Sequence, residues 1–189
     1  MGTVCKAMDK VAKILDMMMG RGHEPNVITY GALINGYCKI RRIDEATRLC
    51  IIDGLSKQGL VNEAQNLFSE MIRKRISPDV VTYNSLIYDL CNFSRWKEAA
   101  SIFTDMLNHG ISPNVITFNT LVSGLSKEGR TTEAHNVFEI MLTKGEKPNV
   151  VTYNSLMHGL CNSGQWKEAK RIFYEIVRRG ISPNAVTFT

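Results

Sequence analysis

The sequence predicts an all-α solenoid built from tandem helical hairpins. Three observations carry this prediction. Similar text returns every 35 residues, each copy holds two stretches of helical periodicity, and Gly and Pro recur at the same places between those stretches. VVTYNSLIYDLCN at residues 80–92 returns as VITFNTLVSGLSK at 115–127 and as VVTYNSLMHGLCN at 150–162. Residues 80–114, 115–149 and 150–184 are therefore three copies in tandem, each closing on Pro-Asn at 113–114, 148–149 and 183–184, and residues 185–189 begin a further one.

The first helix of each copy follows from its apolar spacing. Tyr83, Leu86, Ile87 and Leu90, then Phe118, Leu121, Val122 and Leu125, then Tyr153, Leu156, Met157 and Leu160 fall at i, i+3, i+4, i+7. The second helix reads Trp96, Ala99, Ile102, Phe103 and Met106. Its counterparts hold Ala134, Val137, Phe138 and Met141, and Trp166, Ala169, Ile172, Phe173 and Ile176, with Thr131 alone breaking the apolar rule. Gly129 and Gly164 lie between the two helices of a copy. Gly110, Gly145 and Gly180 follow the second helix, where the left-handed conformation costs least for glycine. Proline then blocks continuation, and the next Asn or Asp is placed to cap the following helix. A hairpin of this kind leaves one apolar face open until a neighbour stacks on it, so the core is built between copies.

The period fails upstream. Residues 1–26 read as a partial repeat, a second helix and its exit. Residues 27–79 are a spliced pair: 53 residues stand where two copies need 70, so about 17 are missing near the 50/51 join. The splice predicts one hybrid helix over Asp44–Lys57 and irregular stacking around it. Met17, Met18 and Met19 read as packing residues, and Trp96 and Trp166 as hairpin core.

Composition narrows the function. The chain has 189 residues, 44% of them hydrophobic, and a net charge of +5, a mild excess compatible with a polyanionic partner. No apolar run reaches the roughly 18–20 residues of a membrane span, and Lys6, Asp9, Lys10, Lys13 and Asp16 interrupt any secretory signal. No targeting peptide is evident. Cys5, Cys38, Cys50, Cys91 and Cys161 lack paired metal spacing and read as free thiols; His23, His109, His135 and His158 fall at four different places in the repeat. Neither a catalytic constellation nor a metal, cofactor or small-molecule site is expected, so the chain reads as a binding protein rather than an enzyme.

The 35-residue period with V-V-T-Y-N-S-L, G-L-C, W-K-E-A, I-F and G-I-S-P-N resembles the pentatricopeptide repeat family. It is most similar to P-type arrays of the restorer-of-fertility-like kind, here a truncated array with an internal deletion. The resemblance implies a right-handed α–α superhelix whose first helices line the concave face. It also implies binding of single-stranded RNA at one base per repeat, in RNA processing in the mitochondrion (favoured) or the plastid. The family's base-reading pair, the fifth and last residues of a repeat, maps onto Asn84 with Asn114, Asn119 with Asn149, and Asn154 with Asn184. Such pairs imply pyrimidine-rich RNA. Val81, Ile116 and Val151 match the apolar residue that sandwiches the base, and Lys39, Lys57 and Lys127 match a phosphate contact that is Asn92 and Asn162 in the other copies. Gly31 stands at the reading place of the spliced segment, and Asp79 is expected to have lost its partner to the deletion.

Simpler readings stand beside these. Asn114, Asn149 and Asn184 are equally helix caps, and Val81, Ile116 and Val151 equally core. The whole chain could serve as a protein–protein scaffold, or be a non-functional remnant of a longer array. The uncapped end at Thr189 predicts self-association.

Overall fold

The structure, a computed structural model, describes residue 10, residues 13–46 and residues 52–182, with side chains described outside 37–60. Among the described residues every regular element is a helix: α1 (13–20), α2 (Val27–Ala46), α3 (Ile52–Arg73), α4 (Val80–Asn92), α5 (Trp96–Asn108), α6 (Val115–Lys127), α7 (Thr131–Thr143), α8 (Val150–Asn162) and α9 (Trp166–Arg178). The chain forms two compact units, residues 1–89 and 90–189.

In the first unit α2 packs against α3. Tyr30, wholly buried, donates from its hydroxyl to Glu70 Oε1 at 3.0 Å, and Lys74 pairs with the same oxygen at 2.8 Å. Phe68 meets the edge of Tyr83 with ring centroids 5.3 Å apart, which ties α3 to the start of α4. Val61, Ala64, Phe68 and Met71 bury the inner face of α3. The splice thus yields a pair of long helices packed together, 20 and 22 residues long, which keeps a two-helix unit in front of α4. The expected hybrid helix over Asp44–Lys57 falls partly outside the described residues. What is described of it ends one helix at Ala46 and begins another at Ile52. In α1, Leu15 is buried while Met17 and Met19 are exposed, so the methionine run is not the packing element expected of it.

In the second unit α6 packs with α7, α8 with α9, and α6 with α8. Val122, Leu125, Ala134, Phe138, Tyr153, Leu156, Leu160, Ala169, Ile172 and Ile176 form one core across both hairpins. Phe103 meets Phe118 edge-on at 5.9 Å and Phe138 meets Tyr153 at 5.6 Å, the same relationship as Phe68 with Tyr83. The aromatic ring of each second helix is thus buried by the first helix of the next hairpin, worth about 1.5–3 kcal/mol per fully buried side chain. This is why the text repeats.

Helix ends follow the glycine punctuation. Gly110, Gly129, Gly145, Gly164 and Gly180 have φ of 70 to 78°, and Ile111 N–H reaches back to the Met106 carbonyl at 3.0 Å in the capping geometry such a residue permits. Ser94 and Arg75 hold the equivalent places without being glycine, at φ 55° and 57°.

Candidate nucleic-acid interface

Each first helix opens with Pro, a capping residue and, three places on, Thr. Asn114 has φ −113° and ψ 178°; its Oδ1 accepts the N–H groups of Ile116 and Thr117, both at 3.1 Å, and its own N–H donates to Thr117 Oγ1. Asn149 repeats this box with Val151 and Thr152 at 3.0 and 3.2 Å. Asn26 caps α2 through Ile28 and Thr29, and Asp79 caps α4 through Thr82. The second residue of each helix then points outward. Ile28 is 75% exposed, Val81 54%, Ile116 59% and Val151 50%, so these β-branched side chains are surface, not core.

The fifth residue of each first helix lies beside that row. Asn119, half-buried on α6, donates from Nδ2 to Asn149 Oδ1 at 3.2 Å, while its Oδ1 accepts from the Thr152 hydroxyl at 2.5 Å. The cap settles the amide orientations. Backbone N–H groups require an oxygen from Asn149, so its Nδ2 turns away, and Asn119 must offer nitrogen to that oxygen and oxygen to the threonine. Ser123 and Ser155 join α6 to α8 at 2.5 Å along the same line. The result is an amide pair, flanked by Ile116 and Val151, with N–H donors left over.

Asn84 and Asn154 hold the same place on α4 and α8, each half-buried. Asn184 lies outside the described residues, as do the side chains of Lys39 and Lys57. Lys127 is exposed at the last turn of α6; Asn162 contacts the His158 ring at 3.3 Å instead.

Two features escaped the sequence reading. The threonine three places into each first helix, Thr29, Thr82, Thr117 and Thr152, joins cap to reading residue; its recurrence was the available signal. Ile28 extends the outward aliphatic row into the spliced segment, at a place the repeated V-I-T-Y marks. One expectation is corrected. Asp79 is not stranded by the splice, because α2 brings Gly31 against the threonine that Asp79 holds: a Cβ on Gly31 would lie 3.1 Å from Thr82 Oγ1.

The remaining chemistry is structural. Burial pushes the Cys91 thiol up to about 12, which leaves it protonated and unreactive near neutrality. Burial, with Glu175 nearby, likewise pushes the Tyr153 phenol up to about 12. Among the described residues no cluster of three or more His, Cys, Asp or Glu could hold a metal ion, and no helix is long and apolar enough to cross a membrane. Trp96 packs on Gly124 and stacks under Arg130, 5.4 Å from the ring centre, whereas Trp166 is 65% exposed and is not the core residue expected. Among the described residues no hairpin follows α9 to cover it.

The chain matches the PPR repeat family over residues 43–92, 78–127, 113–162 and 148–189, and a PPR repeat over residues 21–50. It is 32% identical over 90 residues to pentatricopeptide repeat-containing protein At3g61360 of Arabidopsis thaliana, a match covering 39% of this chain and 18% of that one. It is also similar to the crystal structure of the maize pentatricopeptide repeat protein PPR10, with a TM-score of 0.75 and 25% identity over 96% of this chain and 23% of that one. PPR10 in complex with an 18-nt psaJ RNA element matches at 0.72 and 26% identity, over 95% and 24%. The PPR domain of Arabidopsis thaliana protein-only RNase P 1, solved with tRNA, shares the fold at 0.73 and 12% identity, over 97% and 88%. The chain spans less than a quarter of the length of At3g61360 and of PPR10. Four overlapping matches that run from residue 43 to the last residue, over an all-helical fold of stacked hairpins, place this chain in the pentatricopeptide repeat family.

Proposed function

We propose that this chain binds single-stranded RNA, one base per first-helix slot, and prefers a pyrimidine run. The observation that carries the proposal is the Asn119–Asn149 pair, held by Thr152 and flanked by exposed Ile116 and Val151. Exposed aliphatic side chains at successive helices can sandwich a splayed base, and the amides can meet its edge. Outward N–H donors suit cytosine, whose O2 and N3 both accept; uracil has an N–H between its two carbonyls, which places it second. By their place in the repeat, Asn84 with Asn114 and Asn154 with Asn184 form the neighbouring slots, and residues 80–114, 115–149 and 150–184 the three units that carry them. Lys39, Lys57 and Lys127 supply phosphate contacts. RNA complexes of PPR10 and RNase P 1 support this reading of the ligand class, and the family resemblance supports a role in organellar RNA metabolism.

Filter binding with CCC, UUU, AAA and GGG in one neutral single-stranded context tests the proposal. Each slot should discriminate by about 1 kcal/mol, the low end for an edge contact, so three in a row favour pyrimidines by about 3 kcal/mol, roughly a hundredfold. Asn119→Thr with Asn149→Asp replaces donors by an acceptor and should move the middle base toward guanine. Equal binding of all four RNAs, unchanged by the double substitution, overturns base reading and leaves a protein scaffold, which a pull-down would detect.

A further inference from the structure

We infer that α2 and α4 form a fourth base slot across the spliced segment, with Asp79 as its reading group, and that this slot takes guanine. The inference rests on the RNA-binding reading above and extends it to residues where the repeat period is broken.

The geometry parallels the α6–α8 slot atom for atom at its base, with one difference. In the α6–α8 slot the threonine hydroxyl turns to the opposite helix: Thr152 Oγ1 is 2.5 Å from Asn119 Oδ1 and 3.2 Å from its own cap. In the α2–α4 slot the opposite residue is Gly31, which offers no acceptor. Thr82 therefore turns back to its own cap, donating to Asp79 Oδ1 at 2.8 Å, and the Thr82 N–H reaches the same oxygen at 2.8 Å. The two helices still touch there, since a Cβ on Gly31 would stand 3.1 Å from Thr82 Oγ1. Ile28 and Val81 are exposed on either side, as Ile116 and Val151 are in the other slot. The walls are present; the amide between them is replaced by open space.

Two consequences fix the ligand. A carboxylate only accepts, and Oδ2 of Asp79 is not used by the cap, so the matching base edge must donate. Guanine is the base whose Watson–Crick edge carries two adjacent donors, N1–H and the N2 amino group. A purine also extends further than a pyrimidine, into the space that the Asn119 side chain fills in the other slot and that Gly31 leaves clear.

The test uses the full chain and RNAs that keep one pyrimidine run and vary the single nucleotide on its 5′ side. Guanine there should bind about tenfold better than cytosine, the low end for a paired edge contact. Asp79→Asn should abolish that preference while leaving the melting transition unchanged, because Asn already caps α2, α6 and α8. Gly31→Asn in the Asp79→Asn background should convert the preference to a pyrimidine. Indifference to the 5′ nucleotide, with the pyrimidine-run preference intact, overturns the fourth slot alone. Loss of both preferences overturns the RNA reading itself.

Discussion

The hydroxyl of Thr152 lies 2.5 Å from the side-chain oxygen of Asn119, on the neighbouring first helix. Thr152 is wholly buried, and its backbone N–H and hydroxyl oxygen also complete the cap that Asn149 provides. One threonine therefore sets both the helix start and the orientation of the reading amide.

Thr152→Val should separate these roles from simple packing. Losing the hydroxyl should cost about 1–2 kcal/mol in urea denaturation, through the cap and the buried hydrogen bond. It should also narrow discrimination among the four bases at the middle position, since the Asn119 amide can then turn over. Thr152→Ser should restore the discrimination. A valine variant that reads bases as sharply as the parent would remove Thr152 from any positioning role.

Gly159 sets the approach of α8 to α6. An added Cβ would stand 2.8 Å from Ser126 Cβ and 3.0 Å from its Cα. Because backbone must move, Gly159→Ala should destabilise by roughly 1–3 kcal/mol. Gly36→Ala, with nothing within 4 Å, should instead be neutral or stabilising by up to about 1 kcal/mol, as expected for a helix interior. Equal chemical denaturation midpoints for the two variants would refute this packing account.

The Tyr30–Glu70–Lys74 group should make the α2–α3 pair sensitive to acid. The hydrogen bond from Lys74, aided by Tyr30, holds the Glu70 carboxyl below the usual carboxylate range. A lowered folded pKa contributes stability that is present above the unfolded value and lost as pH falls through the folded one. The melting temperature of the parent should therefore exceed that of Glu70→Gln at pH 7, with the gap closing below about pH 4. Lys74, raised chiefly by the same hydrogen bond, stays charged throughout that range. A gap that persists unchanged at pH 3 would place the stabilisation elsewhere.

Trp166, Tyr174 and Val177 expose apolar surface on α9, where Trp96 on α5 is packed against Gly124 and Arg130. Sedimentation velocity should show concentration-dependent self-association that Trp166→Gln weakens. A strict monomer at every concentration would show that this face needs no cover.

The sequence by itself determined the hairpins, their caps and their buried faces. Period, apolar spacing and Gly-Pro punctuation act within one turn or one neighbouring copy, so Tyr153, Phe138 and Asn149 could be placed from local text. It also marked Asn119 and Asn149 as a candidate pair, because both recur in phase. Tertiary structure decided what those groups present. Whether Ile116 is core or surface depends on which side of α6 the next hairpin covers, and periodicity does not tell the two sides apart at a helix start. The direction of an amide depends on a hydroxyl 33 residues away. The splice shows the limit most clearly: text counted against a 35-residue ruler predicts a broken array. Two long helices packed together still bring Gly31 to Thr82, because close packing is satisfied by helices that meet, not by the number of residues between them.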